Sequence, residues 1–443
     1  MRFALVAGLA VILIAPADGS AQTSDAARCE TEANRRKSAW QVDDHSWFAN
    51  EWQHEAQELS LAWCRMRAAA GAREKAYGVG DLGRILFTGD GLRPVFGTVG
   101  AGSGLGAGGS LTYTRALSRS PIRLQASVEA LATVNGSYIG VGQLELVGSA
   151  VSETNSHTRV VLTGGRKVLQ EIGYFGLGSN SLNERAAFSM RSNTLAARLE
   201  TPRRAGVSAA LVANALWLRQ GAPGDPSLPA AGLQGSNAES TDYVVLGAGG
   251  SWNHPSDEVL FGLKSSVALG ILHYQDISGR PLSFQRWGLS LAERYSPETT
   301  VDFGTFAAVA RIAGVTAREG NEIPFYLYPS LGGADAAGVE SLRSYTDYRF
   351  RDRIATSASF EYERSVLDPI GIVAFLDVGG VADRVRALSV EELRRSYGLG
   401  ISVRVGGLSV FRFLYAFGGA EGARFHMVGR SSGITNSDHL TPF

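Results

Sequence analysis

The chain has 443 residues, with 42 basic and 42 acidic side chains and therefore no formal net charge. Proteins that bind nucleic acids neutralise phosphates with an excess of cationic side chains, so this balance excludes an electrostatic case for a nucleic-acid partner. The mean hydropathy is −0.01, which is ordinary. The glycine content is unusually high: 54 of the 443 residues are glycine, which is about 12%, against about 7% in an average protein. Such an excess without a collagen-like period favours a large, curved β-sheet.

Residues 1–21 have the pattern of a secretory signal peptide. Arg2 supplies the positive start, Phe3–Ala15 the apolar stretch, and Gly19–Ala21 a small-residue cleavage site before Gln22. The apolar stretch of about 13 residues is shorter than the roughly 20 that a bilayer-spanning helix needs. We therefore predict export, and no later segment is apolar for long enough to form a spanning helix.

Residues 22–75 form a predicted periplasmic helical segment. Ser24–Trp40 and Asp43–Ala70 are rich in Ala, Glu, Gln and Arg and almost free of glycine, which favours a helical hairpin. Cys29 and Cys64 are the two cysteines of the chain, and in an oxidising compartment a lone pair predicts a disulfide. Closing this loop of about 36 residues would stabilise the segment by roughly 4 kcal/mol. Two unpaired thiols remain the alternative, and a zinc site needs more ligands.

From residue 84 to residue 443 the sequence alternates between apolar and polar residues, as in Ile122–Thr133 and Leu408–Phe417. The runs are often about 10 to 14 residues long, as tilted membrane-spanning strands are, whereas globular strands usually have about five or six. Because lipid tolerates no unpaired sheet edge, this pattern predicts an all-β, transmembrane antiparallel β-barrel. At roughly 22 residues per strand and turn it would contain about 16 strands. Charged residues expected to face a wet lumen are Arg123, Glu129, Arg198, Glu200 and Arg404.

Two short motifs match catalytic or cofactor-binding strings without their structural context. The glycine-rich run Gly102–Gly108 is followed by strand-like residues, whereas a dinucleotide loop needs a helix there. Gly429–Gly433 matches a nucleophile-elbow string, but only ten residues follow it and no α/β scaffold is predicted. We therefore expect no enzymatic activity, no cofactor and no metal.

The last quarter of the chain carries an ordered series of motifs. They are Pro329–Gly333, Leu342–Tyr345, Tyr348–Arg353, Phe360–Arg364, Val373–Gly379 and Tyr397–Ile401. This order resembles the bacterial surface antigen family, the eighty-five-kilodalton outer-membrane-protein superfamily, which includes barrel-assembly insertases and two-partner-secretion translocators. In that family a loop with a V/I-R-G-F/Y motif folds into the lumen of a 16-stranded barrel. Its arginine meets acidic residues that include the aspartate of an F-x-D-x-G strand.

The resemblance implies a structural latch in the lumen, with Arg343 as the loop arginine and Asp377 as the strand aspartate. A guanidinium inside a barrel needs an acidic partner, because an unpaired buried charge costs several kcal/mol. Alternation also places the acids on inward faces if Phe360 and Leu376 face lipid. The residues assigned to the latch are Arg343, Ser344, Tyr345, Glu361, Phe375, Asp377 and Gly379.

The resemblance further implies insertion or translocation of proteins at the bacterial outer membrane, with lipid and unfolded outer-membrane or secreted proteins as partners. Two departures bear on this expectation. Ser344 replaces the glycine of the loop motif, and Gln22–Ala70 is too short and too helical for a polypeptide-transport-associated (POTRA) domain. A separate periplasmic partner would then recruit clients. The alternative is a passive or gated pore for small solutes, with the hairpin as a plug or a docking element.

Overall fold

The computed structural model describes residues 91–100, 103–116, 122–148, 158–179, 185–222, 240–253, 263–296, 304–333, 340–367, 370–405, 408–419 and 421–429. The predicted signal peptide, the helical segment 22–75 and the Cys29–Cys64 disulfide lie outside these residues. Within them, no helix is long and apolar enough to cross a bilayer.

The described chain consists almost entirely of β-strands, many of them longer than ten residues. The strands are β1 Gly91–Gly97, β2 Gly106–Ala116, β3 Arg123–Thr133, β4 Tyr138–Val147, β5 Arg159–Tyr174, β6 Ala186–Glu200, β7 Val207–Gly221, β8 Thr241–Asn253, β9 Leu263–Asp276, β10 Phe284–Tyr295, β11 Thr305–Ala317, β12 Ser330–Leu331, β13 Phe350–Arg351, β14 Ile354–Leu367, β15 Ile370–Ala382, β16 Arg394–Val405, β17 Leu408–Gly419 and β18 Gly422–Gly429.

Sixteen of these strands form one antiparallel sheet in which each strand pairs with its neighbours along the chain. The exception to the simple order is β11, which pairs with β14, because β12 and β13 form a separate two-stranded sheet inside the intervening connection. At the two ends of the order, β1 and β18 approach within 8 Å between Cα atoms. The predicted all-β fold with about 16 antiparallel strands is confirmed.

The two faces of the sheet carry different side chains, as the period-two pattern requires. Val128 on β3 is 59% exposed on the outer face, whereas its neighbour Glu129 points inward and is only 1% exposed. Phe360 on β14 is likewise 55% exposed on the outer face. Monomeric soluble proteins rarely expose apolar patches larger than a few hundred square ångströms. This outer surface is the kind that lipid covers. Its exposed apolar residues include Leu111, Leu144, Leu162, Leu195, Leu211, Leu246, Leu269, Leu291, Phe306, Ile372, Leu399 and Tyr415.

The sheet has two distinct ends. At one end β11 stops at Ala317 and a long connection, residues 318–353, leads to β14 at Ile354. We call this the loop end, and the connections that follow β1, β3, β5, β7 and β9 lie there too. At the other end the connections are often short, such as residues 368–369 between β14 and β15.

Part of the interior near the loop end is a packed apolar cluster, which differs from the wet lumen expected from the sequence. Phe325 and Tyr326 of the long connection pack against inward-facing side chains such as Phe188 and Tyr243, and all four are buried. Charges do face inward farther from this end, where Arg198 and Glu200 form an ion pair of 2.7 Å. The reason for the difference is that part of the chain itself fills the lumen. Burying that segment requires an apolar wall, which replaces water.

Candidate functional site in the lumen

The connection between β11 and β14, residues 318–353, is hereafter called the lumen loop. Its chain reverses where Ser330 and Leu331 of β12 pair with Arg351 and Phe350 of β13. Gly333 has φ +57°, and a Cβ atom there would lie 1.8 Å from the Asp347 carboxylate oxygen. A glycine is therefore required where the chain turns away from this short hairpin.

Arg343 and Asp377 form the centre of the site. Arg343 Nε donates to Asp377 Oδ2 at 2.9 Å, and Arg343 Nη2 donates to Asp377 Oδ1 at 2.7 Å. The backbone N–H of Arg343 adds a third bond to Asp377 Oδ2 at 3.1 Å. The side chains are only 3% and 2% exposed. This two-pronged geometry gives both strength and orientation, and it joins the lumen loop to the inner face of β15.

Further guanidinium contacts come from β14 and β15. Arg343 Nη1 lies 3.3 Å from Glu361 Oε2, and Nη2 donates to Ser359 Oγ at 3.1 Å. The guanidinium carbon lies 3.6 Å from the centre of the Phe375 ring, which is a cation–π contact. The structure thus brings together Arg343, Glu361, Phe375 and Asp377. Their role as a latch stays a prediction.

The charges around Arg343 keep it ionised. Burial alone lowers the pKa of Arg343, but the hydrogen bond and charge of Asp377, together with Glu340 and Glu361, outweigh burial and raise that pKa. Glu340 lies 3.7 Å from Arg343 Nη1, and its burial raises its own pKa. Arg412 on β17 pairs with Glu361 at 2.5 Å. Glu340 and Arg412 were not predicted as site residues, because nothing in their local sequence pattern marks them.

Ser344 occupies the position of the family's loop glycine without backbone strain. Positive φ angles of non-glycine residues in this stretch occur at Leu342 (+46°) and Tyr348 (+59°), not at Ser344. The backbone N–H of Ser344 donates to Ser396 Oγ at 2.8 Å. A Cβ atom on Gly419 would lie 2.7 Å from Ser344 Oγ, so a glycine on the facing strand provides the space.

Tyr345 and Gly379 fit the loop to the barrel wall. The Tyr345 ring is buried and meets the Phe350 ring edge to face at 5.1 Å between centroids. A Cβ atom on Gly379 would lie 2.8 Å from the backbone oxygen of Thr356 and 3.1 Å from Leu331 Cδ1. The glycine of the F-x-D-x-G motif therefore allows the lumen loop to approach β15 closely.

A second set of contacts joins the lumen loop to the last hairpin. Glu421, between β17 and β18, accepts hydrogen bonds from the Thr346 backbone N–H at 2.8 Å and from Thr346 Oγ1 at 2.7 Å. Arg349 also forms a salt bridge with Glu421. On β18, Arg424 donates to Thr346 Oγ1 at 2.9 Å, and the His426 ring bonds the Arg343 backbone oxygen at 2.5 Å. The sequence offered no signal for these contacts, since their partners are distant along the chain.

These contacts predict a pH dependence of loop docking. Burial raises the pKa of Glu421, but hydrogen bonds from Thr346 and Arg349 outweigh it and leave the pKa below its usual value. A depressed folded-state pKa adds stability above the ordinary glutamate pKa of about 4.3, and this stability is lost as the pH falls through the folded value. We expect limited proteolysis of the lumen loop to accelerate when the pH drops from 7 to below about 4.

Glu421→Gln provides the control for this expectation. It should speed proteolysis at pH 7, because the charge facing Arg349 is lost, and it should reduce the difference between the two pH values. Burial of Glu340 acts in the opposite direction, because its raised pKa favours the protonated form. An equal acceleration by acid in both proteins would show that other carboxylates govern docking.

No group of His, Cys, Asp and Glu within the described residues is arranged to hold a metal ion.

No protein-family model and no curated protein matches the chain. Solved structures do resemble it. One is BamA from Haemophilus ducreyi lacking POTRA domains 1–3, with 13% identity and a TM-score of 0.47, covering 78% of this chain and 68% of that chain.

Two further structures are CdiB proteins. CdiB from Escherichia coli has 14% identity and a TM-score of 0.46, covering 73% of this chain and 57% of that one. CdiB from Acinetobacter baumannii has 10% identity and a TM-score of 0.43, covering 76% of this chain and 56% of that one. The chain is similar to these proteins over most of its length and spans just over half of each CdiB chain.

Proposed function

We propose that the protein is a bacterial outer-membrane β-barrel that assists the insertion or translocation of polypeptides and has no enzymatic step. The observation that carries this proposal is a lumen filled by the chain's own loop, which is bound to β15 through Arg343 and Asp377. The motif order around these residues, which resembles surface antigen barrels, supports the same role. The partners would be membrane lipid, unfolded client proteins and a separate periplasmic protein that recruits them.

The filled lumen argues against an open pore for small solutes. Phe325 contacts Tyr174 and Phe188, with ring centroids 4.6 Å and 5.2 Å apart. Tyr326, also buried, bonds Thr241 Oγ1 at 3.2 Å. An apolar constriction of this kind excludes water and ions. A solute could therefore cross only after the lumen loop moved.

The junction of the first and last strands favours a role with polypeptides. β1 has seven residues and β18 has eight, whereas the other strands of the sheet have ten or more. Among the described strands, the hydrogen-bonded order of the sheet begins at β1 and ends at β18 without joining them. A junction with few backbone hydrogen bonds separates at lower cost than any other in the sheet, and its free edges can pair with an incoming strand.

The lumen loop binds one side of this junction. It contacts β18 through Arg424 and His426, and it contacts the preceding turn through Glu421. Displacement of the loop would therefore remove contacts from β18. This links the loop to opening of the barrel wall in the proposed function.

The test locks the junction with a disulfide. Cysteines are introduced in pairs from β1 residues 94–97 and β18 residues 422–425, which face each other in an antiparallel closure, with Cys29 and Cys64 changed to serine. The protein is reconstituted into liposomes, and the folding rate of an added unfolded porin is followed by its heat-modified gel mobility. We expect oxidation to abolish the acceleration and reduction to restore it.

The control pair places cysteines across β9 and β10, at Leu269 and Leu289, which are directly paired. Its disulfide should leave the acceleration unchanged. Acceleration that persists with a locked β1–β18 junction would refute the proposal. Solute conductance in planar bilayers without any client, together with no acceleration of porin folding, would instead establish the pore alternative.

A further inference from the structure

An outward-facing basic cluster lies near the loop end of β5, β6 and β7. Arg191 on β6 is directly paired with Arg219 on β7. Arg166 on β5 is paired with Asn193, two residues from Arg191 on the same face. Like charges directly opposite each other across two strands are destabilising unless an anion lies between them. The pairing therefore calls for a negative partner.

The part of the chain that the structure describes supplies one carboxylate to this cluster. Arg219 forms a salt bridge with Asp242 on β8. Arg166 lies over the Tyr138 ring, 6.0 Å from its centroid. Within the described residues, Arg191 has a buried Nε without a hydrogen-bond acceptor. Among the described residues, these three guanidinium groups face one carboxylate, which leaves two positive charges on a largely apolar surface.

The position of the cluster matches the border of the lipid-facing band. Outward residues of β7 from Val207 to Trp217 span about 25 Å along the membrane normal for a strand tilted by about 40°, which is the height of a lipid-facing band. At the limit of the band nearer the loop end, Trp217 is paired with Asp242, and at the opposite limit Val207 is paired with Trp252. Arg219 follows Trp217 by two residues, so the arginines lie at headgroup height.

Below the arginines the surface has a shallow apolar groove. Gly142 and Gly164 are paired on the outer face, directly beneath Gly140 and Arg166. A Cβ atom on Gly140 would meet nothing within 4 Å, so the space beside Arg166 is open. Leu195, which is 61% exposed, borders the two lower glycines on β6. An acyl chain fits such a groove, with its headgroup above it.

We propose that the cluster of Arg166, Arg191 and Arg219 binds the phosphate group of a membrane lipid whose acyl chain lies in the Gly142–Gly164 groove. Guanidinium groups bind phosphate through paired, charge-assisted hydrogen bonds. The Asn193 amide beside Arg166 adds a neutral donor. The proposal rests on the membrane location given above, and it would hold for a lipid phosphodiester or for the phosphomonoester of lipid A.

The test measures lipid retention by the full chain in a non-ionic detergent, using native mass spectrometry. The added lipids are phosphatidylglycerol, lipid A and phosphate-free diacylglycerol. We expect one phosphate-bearing lipid to remain bound, and the double variant Arg166→Gln/Arg191→Gln to weaken its retention by about tenfold or more, since each basic residue near an anionic surface contributes about 1 kcal/mol. Comparison of the first two lipids distinguishes the phosphodiester from the phosphomonoester.

Two further variants sharpen the test. Arg395→Gln removes an exposed arginine near the loop end of β16, and it should leave retention unchanged. Asp242→Asn removes the carboxylate that competes for Arg219, and it should strengthen retention. Equal binding of diacylglycerol, or unchanged retention in the double variant, would overturn the lipid site while leaving the polypeptide function intact. Solubility of the native chain without detergent would overturn both.

Discussion

Replacing Arg343 with alanine should destabilise docking of the lumen loop by about 3–5 kcal/mol, because it leaves the buried Asp377 carboxylate without its cation. Asp377→Ala should have a similar effect, since it removes the carboxylate that accepts from both Nε and Nη2 of the guanidinium. The measurements are limited proteolysis of the folded barrel and the temperature at which its compact gel band is lost. Compared with the native protein, both single variants should be cut faster in the lumen loop, and both should lose the compact gel band at a lower temperature.

A matched pair in the same chain provides the control. Arg384 and Asp383 form an ion pair of 2.9 Å, but their side chains are 74% and 54% exposed. Exposed pairs contribute about 0–1 kcal/mol, so Arg384→Ala should change little. The double variant Arg343→Met/Asp377→Leu should be less destabilised than either single variant, because neither partner of the central pair is left buried without its counter-charge, and Glu361 keeps Arg412 as a partner. If the Arg343→Ala protein resisted proteolysis and heat as well as the Arg384→Ala protein does, contacts other than the Arg343–Asp377 pair would hold the loop.

Truncating Phe325 to alanine should open the apolar part of the lumen. Phe325 is 4% exposed and contacts Tyr174, Phe188 and Tyr326. A buried phenylalanine-to-alanine change costs about 3–5 kcal/mol. The cavity would connect to the polar part of the interior and admit water. We expect ion conductance in planar bilayers to appear or to rise severalfold over that of the native protein.

Phe360→Ala removes the same side chain from the outer face of β14 and serves as its control. The Phe360 ring is 55% exposed and points away from the lumen. Conductance should therefore stay at the native level. If both variants conducted equally, current would be passing through damaged bilayer or misfolded protein and not through an opened lumen.

Much of the wall of this barrel was predictable, because each strand carries its own period-two signal. Val128 and Glu129 occupy opposite faces as their alternation predicts. The encounter of Arg343 with Asp377 was predictable only through motif order, since nothing local to either residue names its partner. Once β14 and β15 are adjacent, their register places Glu361 and Asp377 on the same inner face.

The apolar interior and the second attachment of the loop were not predictable in this way. Leu216 and Leu218 alternate correctly with outward residues, but alternation alone does not distinguish lipid from a packed lumen. Which inner residues are dry depends on where the lumen loop lies. Glu421 meets Thr346 across 75 positions of sequence, so only the closed barrel brings them together.

The position of the β14–β15 hairpin directly after the lumen loop has a consequence for the order of assembly. Its strands carry Glu361 and Asp377, and its first strand directly follows the lumen loop, so Arg343 finds Asp377 only 34 positions away. Contacts between residues close in sequence lose little chain entropy and form quickly. The loop–hairpin unit should therefore form while β1 and β18 are still far apart. The newly made chain would then have its lumen loop docked before the wall of the barrel has closed.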